Sequence, residues 1–195
     1  MPNFTKQAIK SSFLKLLSEQ PLNKISVRSI VEDCGINRNS FYYHFQDIPS
    51  LLREVISDEL SGLTHTCSEI PSLDECVNVA FDFALRNKKA VMHIYNSVNR
   101  DIYEKSMMKL CEYVVSTYLD TAFGTDAISA GDRAVITRFF KCELYGLFSE
   151  WIVCGMKDDM IEDIHRISKL CSGFSDEVIR RSRYVAGPKQ PPNER

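Results

Sequence analysis

Apolar residues recur along this chain at spacings of three and four, the period of an α-helix, and rarely alternate with polar ones as strand positions do. Ile9, Phe13, Leu16 and Leu17 form the first stripe. Thr5 stands as its N-cap with Phe4 and Ile9 placed as a hydrophobic staple, and Glu19-Gln20-Pro21 ends it, because proline drives its predecessor out of helical geometry. Ser26 caps a short second helix, with Ile25 and Ile30 as staple and Val27, Ile30 and Val31 facing inward. Cys34-Gly35-Ile36 breaks that helix, since glycine supplies a backbone conformation other residues resist. Asn37 caps a third helix, Ile36 and Phe41 repeating the staple. Asp47 caps a fourth, where Pro49 is tolerated in the first turn and Leu51, Leu52, Val55, Ile56, Leu60 and Leu63 make the inner face.

After about Thr64 the segments lengthen, and the spacing predicts helices near 72–86, 88–98, 101–122, 132–155, 159–172 and 175–184. The tail 187–195, with prolines at 188, 191 and 192, reads as flexible. There are no internal repeats. The predicted fold class is all-α.

Composition narrows the class. An apolar fraction of 44% and a charged fraction of 26% suit a globular chain, and no run of about 18 apolar residues suggests a membrane span. Met1-Pro2-Asn3-Phe4-Thr5-Lys6 opens no leader pattern, so a cytoplasmic location is expected. The seven cysteines are odd in number and never form a Cys-x-x-Cys pair, which argues against zinc ribbons and thioredoxin-like motifs and for small buried thiols. His93 and His165 lack a partner at metal-ligand spacing. With no phosphate loop, no Gly-x-Ser-x-Gly elbow and no motif-placed Cys/His pair, the sequence predicts no catalytic residues, no metal, no cofactor and no enzyme.

Charge changes the picture more by its distribution than by its sum of −2. Residues 1–47 hold six basic and four acidic side chains, whereas the remainder holds 18 basic and 22 acidic. A mildly basic front precedes an acidic body.

Residues 25–45 carry the chemistry. Two short helices joined by a glycine turn make a helix-turn-helix, whose second helix can enter the major groove of DNA. If Phe41 and Phe45, four apart, point into the core, then Arg38, Asn39, Ser40, Tyr42, Tyr43 and His44 are left facing outward. Those side chains are donors and acceptors suited to base edges and phosphates, whereas a merely solvated helix more often carries Glu and Lys.

The string Phe41-Tyr42-Tyr43-His44-Phe45, preceded by Cys34-Gly35-Ile36-Asn37-Arg38 and followed by Leu51-Leu52, closely resembles the recognition-helix signature of the TetR family of repressors, over roughly residues 5–63. The resemblance implies an N-terminal three-helix helix-turn-helix domain, a C-terminal antiparallel helical bundle and a homodimer on double-stranded operator DNA. It assigns DNA binding to Ser26, Arg28, Asn37, Arg38, Asn39, Ser40, Tyr42, Tyr43 and His44. Of these, Arg38, Asn39 and Ser40 look like base readers and Tyr42, Tyr43 and His44 like phosphate and groove-wall contacts. Near the start of the fourth helix, where the family usually has a lysine, this chain has Ile48, which implies one phosphate contact fewer. The Phe-Gln-Asp-Ile stretch is also similar to a subgroup that includes dihydroxyacetone-kinase regulators, some of which work with a protein partner.

The expected organisation is a DNA-binding domain over 1–47 with its recognition helix at 37–44, a connecting helix over 48–63, an effector-binding and dimerisation domain over 64–186, and the tail. The resemblance places a four-helix dimer interface on helices 132–155 and 159–172, with Leu144, Leu147, Phe148, Trp151, Ile152, Ile161, Ile164 and Ile167 as candidates and Gly146 permitting close approach. Core stripes within one subunit account for the same residues equally well. Met92, His93, Tyr95, Tyr103, Met107, Tyr118, Phe139 and Tyr145 are candidates to line a mostly apolar effector cavity, against the plainer alternative of core packing. The expected function is a ligand-responsive repressor binding a near-palindromic operator. The alternative is a helical adaptor acting through a protein partner, with weak or no DNA binding.

Overall fold

In the computed structural model, the structure describes residues 2–68, 73–124 and 128–157, and beyond these 162–163, 166, 169–170, 173, 177 and 180–182. The described residues are helical and contain no strand, so the fold is all-α. Its helices are α1 (Pro2–Glu19), α2 (Val27–Cys34), α3 (Arg38–His44), α4 (Ile48–Ser68), α5 (Leu73–Arg86), α6 (Lys88–Tyr95), α7 (Arg100–Phe123) and α8 (Ala130–Val153). A 3-10 turn, Leu22–Lys24, lies between α1 and α2. The chain forms two compact units, Met1–Ile70 with Glu75–Leu110, and Pro71–Asp74 with Cys111–Arg195.

In the first unit, α1 packs against α2, α3 and α6. Ile9, Phe13, Leu17, Ile30, Phe41, Leu51 and Leu52 are buried together as its core. Polar ties reinforce α1 at three places. Ser12 Oγ donates to the Ile30 carbonyl at 3.2 Å, and the His93 ring Nδ1 lies 2.7 Å from the Leu17 carbonyl, which only an N–H there can satisfy. Lys10 reaches α4, its ammonium 2.5 Å from Glu54 and 2.6 Å from Asp58, while Lys6 meets Glu54 at 2.6 Å. Burial disfavours the Lys10 charge, but the bonds to Asp58 and Glu54 outweigh it and hold its pKa above the usual lysine value.

The second unit is built around Val115, Leu119, Ile128 and Ile136, with Tyr118, Phe140 and Leu144 packed against them. Ser129 Oγ caps α8 by accepting from Asp132 N at 3.1 Å. Trp151 is fully buried and its indole N–H donates to the Lys157 carbonyl at 2.9 Å.

The caps at Ser26, Asn37 and Asp47 form as expected, whereas the one at Thr5 does not. Helix α1 begins three residues earlier, at Pro2, so Thr5 is inside it, and Phe4 is 83% exposed rather than stapled on the buried Ile9. Proline suits a first helical turn, where its missing N–H has no partner to lose. Helix α6 ends at Tyr95, short of 98, because Ser97 Oγ donates to the Ile94 carbonyl and accepts from Asn99 N, closing a turn. The helices expected at 159–172 and 175–184 fall largely outside the described residues. Of the thiols expected to be buried, Cys111 is, and burial pushes its pKa up to about 12, while Cys142 and Cys154 are exposed and Cys34 is half-buried. Cys67, Cys76 and Cys171 lie outside the described side chains.

Candidate nucleic-acid interface

Helices α2 and α3 owe their mutual placement to a cap, a glycine and two aromatic anchors. Ser26 and Ser29 form a reciprocal capping box, the Ser29 N–H donating to Ser26 Oγ at 3.1 Å and the Ser26 N–H to Ser29 Oγ at 3.0 Å. Gly35 ends α2 in the left-handed region, φ 70° and ψ 30°, and its N–H donates to the Val31 carbonyl. Asn37 Oδ1 then accepts from Ser40 N at 2.8 Å, starting α3 two residues after the turn.

The seven residues of α3 are oriented by Phe41, with Phe45 just past its end. Both rings are buried, 5.9 Å apart by centroid, and Lys6 of α1 lies 5.6 Å over the Phe45 ring. Anchoring those positions turns the rest outward. Arg38 and Asn39 are exposed, Tyr42 is 56% and Tyr43 79% exposed, and Ser40 and His44 are half-buried. The Tyr42 ring stands edge-on to Phe41, and the Tyr43 ring edge-on to His44 at 4.9 Å, which limits the orientations these rings sample.

Two expected contacts are already occupied by local structure. The Ser26 hydroxyl and the Asn37 side-chain oxygen serve as caps, leaving the Asn37 amide N–H groups as donors. Arg28 is exposed but pairs with Glu32 at 2.7 Å across one helical turn, a contact of the weak, screened kind that DNA phosphate can displace.

The acids near this surface are engaged. Asp33 meets Lys15 at 2.6 Å, and that bond, with one from Ser12, holds its carboxyl below the usual carboxylate pKa. Asp47 caps α4 by accepting from Ser50 N at 2.7 Å. Lys24, Arg38 and Arg53 are exposed cations with no carboxylate partner among the described residues. Lys24 and Arg53 were not singled out by sequence. Lys24 had a weak signal, being the one cation in the link between α1 and α2, but its turn carries no periodicity to read.

The other candidate sets fare differently. Phe148, Trp151 and Ile152 are buried inside the subunit, Leu144 packs on the second unit's core and Leu147 is half-buried. The three buried side chains are packed within the subunit, as core stripes would be. Ile161, Ile164 and Ile167 lie outside the described residues. The eight effector candidates are divided between the two units. Met92, His93, Tyr95, Tyr103 and Met107 belong to the first unit, and Tyr118, Phe139 and Tyr145 to the second. Tyr95 is buried and accepts from Arg100, whose guanidinium lies 3.9 Å over its ring. Phe139 is 56% exposed. In the α8 pairs Val135-Ile136 and Phe139-Phe140 the first member is the exposed one.

A profile described as "Transcriptional regulator C-terminal region" matches residues 72–173, and one described as "Bacterial regulatory proteins, tetR family" matches residues 14–55. The chain belongs to the TetR family. As a member it is a DNA-binding transcriptional regulator and not an enzyme. Among its relatives, an uncharacterized HTH-type transcriptional regulator, YxbF of Bacillus subtilis (strain 168), is 30% identical over 63 residues. That match covers 32% of this chain and 17% of the relative's length. The solved structure of the dihydroxyacetone kinase operon activator DhaS has the same TetR fold, with a TM-score of 0.66 at 17% identity, over 92% of this chain and 97% of that one. No described helix of this TetR-family protein is long and apolar enough to cross a membrane.

Proposed function

We propose that this TetR-family regulator reads a near-palindromic operator as a homodimer and changes its DNA affinity in response to a small molecule, acting as a cytoplasmic repressor. The observation that carries the DNA half is α3 itself, with two aromatic anchors inward and Arg38, Asn39, Tyr42 and Tyr43 outward. Arg38 and Asn39 read base edges, with Ser40 at their flank. Tyr42, Tyr43 and His44 hold phosphates and the groove wall, and Arg28 and Lys24 add backbone contacts at the start of α2. These contacts belong to a DNA-binding domain over 1–47 joined through α4 to an effector and dimerisation region.

The dimer reading rests on the outer face of α8. Val135, Phe139, Cys142, Gly146 and Val153 are exposed at steps of four, three, four and seven, one continuous helical stripe. Nothing lies within 4 Å of a Cβ built on Gly146, so a second helix can approach there. A second copy packed on this stripe shields Phe139 and both valines from water. Two recognition helices then meet successive major grooves, about 34–36 Å apart.

Sequence selection on random duplexes with purified protein, followed by sedimentation of free and bound protein, tests the reading. An inverted repeat bound by two copies is the expected result. A strictly monomeric protein at micromolar concentration sinks the dimer, and the absence of any duplex binding at low salt favours the adaptor alternative.

A further inference from the structure

Within the first unit, α4 and α5 leave a groove of about 710 Å³ between them, with Gln7 of α1 also lining it. Its walls are two helix faces: Asp58, Glu59, Gly62, Leu63 and Thr66 from α4, and Val79, Asp82, Phe83 and Arg86 from α5. The volume is that of a small-molecule site, and none of the eight effector candidates lines it. We propose that this groove binds an amphipathic organic amine, its ammonium on Glu59 and Asp82 and its apolar body along Leu63, Val79 and Phe83.

Charge complementarity selects the cation. Three carboxylates and one guanidinium line the groove, a formal excess of two negative charges. Asp58 is already held by Lys10 at 2.6 Å, whereas the Glu59 and Asp82 carboxylates make no ion pair among the described residues. Leu63 is buried, and Val79 and Phe83 are half-buried, forming apolar surface beside the acids.

Gly62 is an independent sign. It sits in the interior of α4, where glycine weakens a helix relative to alanine. Packing does not require it, because a Cβ built there meets nothing within 4 Å, and its φ is not in the left-handed region. What the missing side chain does is keep the groove open. The same fact supplies a clean variant, since a larger residue at 62 fills the groove without crowding the core.

Monodansylcadaverine, an aromatic dansyl group on an aliphatic amine, is the probe. Titrated into the full-length protein, it is expected to show saturable, blue-shifted fluorescence. Removing both free carboxylates in Glu59→Gln/Asp82→Asn takes away two charge-assisted hydrogen bonds and is expected to weaken binding by about tenfold or more. Gly62→Leu is expected to abolish binding, with Gly62→Ala as a helix-stabilising control that retains it. N-butyl dansylamide, which has no charge, is expected to bind at least about tenfold more weakly than the amine. Circular dichroism and thermal melting establish that each variant is folded. If Gly62→Leu does not fold, the double carboxylate variant decides. No saturable signal, equal binding of the uncharged analogue, or undiminished binding by a folded Gly62→Leu or double variant overturns the proposal. These readouts contain no DNA, so their failure leaves the operator reading untouched.

Discussion

Helices α3 and α8 face opposite problems. Helix α3 is seven residues long and carries one buried apolar side chain, Phe41, with Phe45 as its C-cap. Such a helix has one way to sit, and everything else on it must face out. Helix α8 runs for 24 residues with apolar side chains on every side, including Val135-Ile136, Phe139-Phe140, Leu147-Phe148 and Trp151-Ile152. A helix apolar all round has no preferred face until its neighbours choose one. In the first pair the second member is buried and the first is exposed, while Trp151 and Ile152 are both buried. The lesson is that sparse hydrophobicity orients a helix more firmly than abundant hydrophobicity does.

The sharpest way to break this comparison is to remove one ring from each helix. Phe41→Ala empties a fully buried site and is expected to cost about 3–5 kcal/mol, enough to unfold much of the first unit and abolish DNA binding. Phe139→Ala is expected to cost the folded subunit less than about 1 kcal/mol, yet to weaken self-association. Urea denaturation and sedimentation equilibrium of the two variants check this. Equal loss of stability would show that α8 buries Phe139 after all.

A second pair of substitutions separates the outward residues of α3. Arg38→Ala is expected to lower the ratio of operator to random-duplex binding by about 1–3 kcal/mol, while Tyr42→Phe weakens both similarly. Fluorescence anisotropy at fixed salt measures both. An unchanged ratio in Arg38→Ala removes it from the base readers.

The turn that aims α3 is the next target. Gly35→Ala places a Cβ in left-handed backbone and is expected to cost about 1–2 kcal/mol, although nothing lies within 4 Å of that Cβ. A lowered melting temperature is the predicted readout. Gly62→Ala, in ordinary helical backbone, should raise it instead by up to about 1 kcal/mol in stability.

The smallest expected effect concerns pH. Burial pushes the Glu54 carboxyl pKa up, but bonds from Lys10 and Lys6 outweigh it and the net direction is below its ordinary 4.5. Its contribution is therefore complete above the unfolded value and is lost as pH falls through the lower folded one. Lys10 is shifted the other way, above 10.5, so its share is complete below that value and disappears as pH rises through the folded one. Glu54→Gln should flatten the acid limb of a stability–pH profile without altering its neutral plateau shape. An unchanged acid limb would show that the tie between α1 and α4 contributes nothing there.

The sequence by itself determined the helix-turn-helix segment, because each device in it is local. The caps at Ser26 and Asn37 bond to groups three residues away, Gly35 answers a backbone demand, and Phe41 and Phe45 are related by one helical turn. Local interactions are written in local spacing. Tertiary structure alone decided the rest. Which face of α8 is inside depends on Val115 and Leu119 of α7, on another helix. Whether Arg28 is paired and Lys24 free depends on where each carboxylate ends up. The groove along Gly62 arises only when α5 lies beside α4, for a cavity is a property of two surfaces and periodicity describes one at a time.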